Sequence, residues 1–370
     1  MSDGAAIDLR TAEGRVDLVF KGGGVKGVAL SGALAVLEER GFRTQNVAGT
    51  SAGAIVAVLH AAGYTAAELH EILQNLDFTQ FTDKAWEDRV PGLLGQGLSI
   101  FLDQGIYEGT RFQSWVRGLL EAKGKRTFRD LVHPDFADDP RYRYRCQVIA
   151  SDVTGRCFLV LPQDASKLGI VPDDLPIDLA VRMSMSIPIF FEPVRITHGT
   201  TGEEHLIVDG GMLSNFPVWL FDSEGEPEWP TFGLLLVDPA PNTTLEGHLA
   251  PAPTAGGPLA TVHYITSLVK TMLEAHDRMY LEAADYVRTV AIDNLGVGTT
   301  EFTLSPERAE ELYQSGRKAA TAFLDAWSFS RYIEEYRTGR RHSRRLLTNM
   351  TEAVTEPEAT REREVEAPSG

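Results

Sequence analysis

Three short glycine-centred stretches hold the residue types that could do chemistry. The first, Gly22-Gly23-Gly24-Val25-Lys26-Gly27, follows a strand-like run and precedes a helical pattern. It would set several backbone N–H groups, unhindered by Cβ atoms, at a helix N-terminus, where negative charge is favoured. The charge is either a phosphate or the oxyanion that forms when an ester carbonyl is attacked. The second stretch, Gly49-Thr50-Ser51-Ala52-Gly53, reads G-x-S-x-G between a short strand and a small-residue helix. That is the setting of a nucleophile elbow, with Gly49 and Gly53 allowing the sharp turn. The bland alternative is a tight turn in which Ser51 only caps a helix. The third stretch, Asp209-Gly210-Gly211, ends another strand-like run. Asp-Gly is also the commonest hairpin signal, so on residue types alone a plain turn is the stronger reading there.

A phosphate reading of the first stretch has a sharp test. Gly22, Gly24 and Gly27 satisfy the spacing G-x-G-x-x-G after a strand. A dinucleotide site also needs an acidic residue about 20 positions on, at the end of the next strand. The next strand ends in Gly49-Thr50-Ser51, and Glu38 and Glu39 fall too early, inside the helix. A Walker-type loop fails as well, because Lys26 is followed by glycine. The oxyanion reading then asks for a base. A histidine held by a carboxylate is the usual partner, and His263 and His276 follow Asp209 in the chain. Both fall within a long helical pattern rather than a glycine-flanked loop. The other option is a carboxylate that contacts the serine directly.

Composition narrows the partners. The chain has 370 residues with 35 Lys plus Arg against 52 Asp plus Glu, a net charge of −17. Nucleic acid is a poor partner for such a surface, and general adsorption to anionic membranes is disfavoured too. Cys146 and Cys157 are the two cysteines, which excludes a disulfide framework and a zinc-type cluster built from them. The polar start, Met1 to Arg10, does not read as a secretory signal. No run approaches the roughly 18 apolar residues of a membrane span. A cytoplasmic location, with peripheral membrane contact at most, is the expectation.

The elements that must position these residues are legible as a strand–helix–strand–helix order, the signature of a parallel sheet. Residues 1–15 read as a flexible N-terminus. A strand over Val16–Phe20 leads to a helix from Lys26 to Arg40 closed by Gly41, then to a strand at about Asn46–Ala48 and a small apolar helix ending at Gly63. Thr65-Ala66-Ala67-Glu68 has capping-box spacing. Residues 78–109 are irregular, glycine-rich and carry Leu93, Leu94, Leu98, Ile100 and Phe101, a candidate lid. Arg143–Ala150 and Arg156–Leu161 alternate like a hairpin about Asp152-Val153-Thr154-Gly155. Leu206–Val208 runs into Asp209, and Phe232–Val237 reads as a buried central strand. A long helix is expected over about Leu259–Ala284, a strand over Tyr286–Ile292, and a helix from Ser305-Pro306 to about Phe329. Residues 331–370 read as a charged, largely disordered tail: Arg331 to Arg345 holds six arginines, and the last 20 residues hold six glutamates.

The three stretches together, in this order, resemble the patatin-like phospholipase family, which combines G-G-G-x-[KR]-G, G-x-S-x-G and D-G-[GA]. The resemblance spans about residues 16–330 and includes Arg182-Met183-Ser184-Met185-Ser186-Ile187-Pro188-Ile189-Phe190-Phe191 ahead of the aspartate strand. It implies a three-layer α/β/α sandwich around a largely parallel sheet. It implies a Ser–Asp dyad, with Ser51 as nucleophile and Asp209 as base, flanked by Gly210 and Gly211. It implies an oxyanion hole from the N–H groups around Gly23, Gly24 and Val25, in a loop that Lys26 holds or orients. The implied substrate is the acyl ester of a phospholipid, lysophospholipid or neutral lipid, with no metal or cofactor required. One departure is Lys21, where plant patatins begin the loop with Asp. The competing readings are a silent lipid-binding protein of the same fold and a Ser–Asp–His carboxylesterase; a hydrolase and an acyltransferase are not separable from these residues.

Overall fold

The computed structural model describes residues 14–76, 109–188, 190–223, 226–237, 287–298 and 304–337. The described chain runs β1 (Arg15–Phe20), α1 (Gly27–Glu39), β2 (Arg43–Thr50), α2 (Ala52–Ala61), α3 (Ala66–Gln74), α4 (Thr110–Ala122), β3 (Cys146–Asp152), β4 (Cys157–Leu161), α5 (Ile177–Ser184), β5 (Val194–Thr197), β6 (Glu204–Asp209), β7 (Thr231–Val237), β8 (Thr289–Asp293), α6 (Pro306–Ala326) and α7 (Phe329–Arg337). The candidate lid over 78–109 lies outside the described residues except for Gly109. So do the helix expected over Leu259–Ala284, the first 13 residues and the tail beyond Arg337.

Period-two alternation sorts the strand side chains onto two faces of one sheet. Val16, Leu18 and Phe20 of β1, and Phe232, Leu234 and Leu236 of β7, join a large apolar cluster on one face. Val19 and Leu235 join a smaller cluster on the other. The large cluster is covered by helices, with Leu30 of α1, Val56 of α2, Leu69 of α3, Val116 of α4, Val181 of α5 and Leu312 of α6 all inside it. The second face is covered, among the described residues, by the stretch from Phe216 to Phe221. Strands β3, β2, β1, β7 and β8 lie side by side and parallel. The antiparallel pairings are β4 and β6 on β3, and β5 on β6. The α/β class and a central, mostly parallel sheet flanked by helices are as expected.

Local signals work as their chemistry dictates. Thr65 and Glu68 form a reciprocal capping box, and Ser305 caps α6 ahead of Pro306. Gly41 takes φ +82° just past α1, the left-handed geometry that ends a helix without a Cβ clash. β2 is longer than expected, because its polar start, Arg43-Thr44, still pairs with β1. α6 stops at Ala326, short of the expected Phe329. Trp327 turns extended there and sets its ring edge-on to Phe232, with centroids 4.9 Å apart. Ser328 then starts α7 through its Oγ and carbonyl, and Tyr332 of α7 is buried against Trp327 and Phe329.

One feature of β3 decides where the site forms. β4 pairs continuously with Val148–Asp152 and therefore occupies one edge of β3. β2 pairs with Cys146–Ile149, and β6 with Ala150–Asp152. A strand has two edges, so β2 and β6 share the other one, end to end. Thr50 of β2 is the partner of Ile149, and Asp209 of β6 is the partner of the next residue, Ala150. β2 runs parallel to β3 and β6 antiparallel, so the ends that meet are the ones followed by Ser51 and ended by Asp209.

Candidate active site

Ser51 leaves β2 with φ 55° and ψ −127°, a left-handed conformation that non-glycine residues rarely adopt. It turns the chain into α2, which starts at the next residue. The turn is possible only because backbones cross closely. A Cβ on Gly53 would run into the Phe20 carbonyl, and one on Gly49 into the Gly53 carbonyl. Ser51 is 5% exposed. Strain of this kind, held by surrounding structure, is what a nucleophile elbow stores.

The glycine loop lies against the serine. A Cβ on Gly22 would meet Asn215 Oδ1 and come 3.0 Å from Ser51 Cβ. Gly24 has φ +62° and opens a single tight turn over Gly24–Lys26 that runs into α1. The hydrogen bonds of that turn begin with the Lys26 N–H to the Gly23 carbonyl and the Gly27 N–H to the Gly24 carbonyl. The N–H groups of Gly23, Gly24 and Val25 stand outside them, as the first donors of a helix do. Lys26 is buried at the end of the turn. Gly27 differs from the others, since a Cβ there meets nothing nearer than 3.8 Å.

Asp209 is fully buried. Its Oδ1 accepts the Gly211 N–H at 2.8 Å, while Oδ2 makes no formed hydrogen bond. Burial pushes its carboxyl up to about 7, and the Ser51 hydroxyl and the Gly211 N–H pull it back down. Gly210 has no room for a side chain, because a Cβ would strike the Ile149 carbonyl. Ser51, the glycine loop and the Asp209-Gly210-Gly211 turn thus converge on one point at the end of β2. A carboxyl poised near neutrality beside a strained serine can hold a proton or release it at ordinary pH.

A family model described as patatin-like phospholipase matches residues 18–222. The chain belongs to the patatin-like phospholipase family. Among relatives of this family member, the protein YqhO of Bacillus subtilis is 37% identical over 314 residues, covering 85% of this chain and 99% of YqhO. The NTE family protein Rv2565 of Mycobacterium tuberculosis is 28% identical over 340 residues, and the chain spans 49% of its length. The crystal structure of VipD from Legionella pneumophila has the same fold with a TM-score of 0.50 and 17% identity, over 84% of this chain and 66% of VipD. At the level of the family the activity is lipid acyl hydrolysis. Among the described residues, no helix of this patatin-like chain is long and apolar enough to cross a membrane.

The structure gathers Ser51, Gly22, Gly49, Gly53, Asp209 and Gly210 at one place. Among the described residues no histidine hydrogen-bonds to Ser51, and His263 and His276 lie outside them. His205 has its own buried partner, with Nδ1 2.7 Å from Asp152 Oδ2, farther along the ladder from Asp209. Motif spacing passed over the turn after α5, which touches both halves of the patatin-like site. Ser184 Oγ accepts the Ser51 N–H, the Ser51 hydroxyl points at Met185 Sδ (3.5 Å), and the Ser186 carbonyl accepts the Asp209 N–H. Arg182, four residues before Ser186, donates to its hydroxyl. These residues sit within the Arg182–Phe191 stretch, whose sequence signal marks membership but no role.

Proposed function

We propose that this chain is a serine lipid acyl hydrolase in which Ser51 attacks the acyl ester and Asp209 is its direct base. The observation that carries this reading is the end-to-end meeting of β2 and β6, which sets the Ser51 elbow against a buried carboxyl with one oxygen, Oδ2, left open. Asp209 takes the Ser51 proton as Oγ bonds to the ester carbonyl carbon. The resulting oxyanion lies at the N–H groups of Gly23, Gly24 and Val25, each well-placed donor lowering the barrier by about 3–4 kcal/mol. The carbon–oxygen bond to the alcohol breaks, and that alcohol leaves with the proton from Asp209. Water then attacks the acyl-enzyme, gives its proton to Asp209, and the fatty acid departs as Ser51 recovers its own. The substrate class is a phospholipid, lysophospholipid or other acyl-ester lipid met at a membrane or micelle surface.

Mass spectrometry after reaction with a fluorophosphonate tests the reading. A single phosphonyl adduct on Ser51, absent from Ser51→Ala and strongly slowed in Asp209→Ala, is expected. An Asp209→Ala protein that labels and turns over like the wild type would assign the base to a histidine and end the dyad reading.

A further inference from the structure

β3 offers one unbroken edge to two strands that stop short of each other. The β2 ladder ends at Thr50 with Ile149, and the β6 ladder begins at Asp209 with Ala150. Across the other edge, the Val160 N–H opposite Ile149 goes to Asp164 Oδ2. The Ile149 carbonyl therefore faces the junction. Ser51 has turned left-handed at this point, and its N–H reaches that carbonyl only through a side chain. Ser184 Oγ accepts the Ser51 N–H at 2.8 Å and donates to the Ile149 carbonyl at 2.6 Å. Two residues on, the Ser186 carbonyl accepts the Asp209 N–H at 2.9 Å. Ser184 and Ser186 are both fully buried.

We propose that Ser184 is a positioning residue for the dyad, whose hydroxyl splices the two strand ends and holds Ser51 in its strained backbone at a set distance from Asp209. The proposal rests on the Ser51–Asp209 reading. A hydroxyl suits the task because it accepts one hydrogen bond while donating another. An alanine leaves the Ser51 N–H and the Ile149 carbonyl facing each other without the atom that joins them. Ser51 is then free to relax toward an ordinary φ, which moves Oγ relative to the Asp209 carboxyl. Ser184 touches backbone and not substrate, so the loss falls on the chemical step and spares binding. Misplacement of a nucleophile by about 1 Å slows reaction by up to about 100-fold.

The test is the inactivation kinetics of the full chain with an alkyl fluorophosphonate, in which a Ser51 Oγ–P bond forms, the P–F bond breaks and the proton passes to Asp209. Saturation curves separate the maximal rate (kinact) from the half-saturating concentration (KI). Ser184→Ala should lower kinact about 10- to 100-fold with KI within about twofold. Ser184→Cys, nearly isosteric but weak in hydrogen bonding, should fall between Ser184→Ala and the wild type. The control is Ser31→Ala: Ser31 is equally buried, but its hydroxyl bonds the Val28 carbonyl inside α1, and its loss should leave kinact unchanged. A Ser184→Ala kinact equal to the wild type, or a loss confined to KI, overturns the proposal, as does an equal loss in Ser31→Ala. If Ser184→Ala does not fold, Ser184→Cys decides by the same criteria. A wild-type protein whose adduct is not on Ser51 refutes the dyad itself; an adduct on Ser51 that Ser184→Ala forms at full speed refutes only the splice.

Discussion

Replacing Asp209 with Asn should make this protein more stable, and increasingly so as pH rises. Burial moves the Asp209 carboxyl from 3.8 to about 7 in the folded chain. A raised carboxyl favours the neutral form in the native state. Folding is therefore unpenalised below pH 3.8, loses stability as the unfolded chain ionises above that value, and carries the full penalty above about pH 7. The full difference corresponds to roughly 4 kcal/mol, of which about 2–3 kcal/mol develops between pH 5 and pH 8. An Asn is neutral throughout and keeps an oxygen to accept the Gly211 N–H. Asp17, also buried and pushed up to about 8, is present in both proteins and cancels in the comparison. Urea unfolding of the wild type and Asp209→Asn at pH 5 and pH 8 gives the four stabilities needed. The advantage of Asp209→Asn should grow by about 2–3 kcal/mol between the two pH values, or about 3–4 °C in Tm. An advantage that stays constant, or shrinks, would mean that the carboxylate is not raised and that the burial argument for Asp209 is wrong.

Other outcomes follow from the same geometry. The hydrolysis rate, measured as kcat/KM on a soluble short-chain ester, should rise with pH through an apparent pKa near 7, the value of Asp209; a flat profile between pH 5 and 8 would exclude it as the base. In the proposed dyad Ser51 and Asp209 act as a unit, so the double alanine variant should be little slower than either single one, and multiplied losses would show independent roles. Gly53→Ala should cripple activity, since its Cβ meets the Phe20 carbonyl, while Gly27→Ala should keep near-wild-type turnover; parallel kcat measurements on the pair check this. Gly316→Ala should destabilise by about 1–3 kcal/mol in denaturant unfolding, because a Cβ there collides with the Ala29 carbonyl where α6 crosses α1.

Much of the fold was legible because its elements announce themselves locally. The Val16–Phe20 strand, the Gly41 stop, the Thr65 box, the hairpin about Asp152–Gly155 and the Ser305-Pro306 start all depend on a few adjacent residues. Ser51 and the glycine loop were readable for the same reason, since close backbone crossings demand glycine at set spacings. The direction of β6 was not. An apolar triplet such as Leu206–Val208 looks the same whichever way it pairs, and its antiparallel placement is a tertiary fact. Ser184 escaped for a related reason. A serine near a helix end is ordinary, and the Ile149 carbonyl it satisfies is distant in sequence and hidden in a strand that reads only as apolar. The end of α6 at Ala326 was set by Trp327 finding Phe232, a contact no helical periodicity encodes.

The shared edge of β3 also sets when in a chain's life the site can exist. Ser51 and the glycine loop are made early, while Asp209 is added roughly 160 residues later. At synthesis rates of about 5–20 residues per second, the lag is on the order of ten to thirty seconds. In the proposed dyad, the growing chain holds a nucleophile with no base through that interval, and once β3 is made its shared edge is only half occupied. On that reading, catalysis begins only when β6 docks on the β3 edge end to end with β2, a pairing of strands roughly 60 residues apart. On the same reading, a fragment that ends before residue 209 is inert toward ester bonds, and the first appearance of an activated Ser51 reports that the shared edge of β3 is filled.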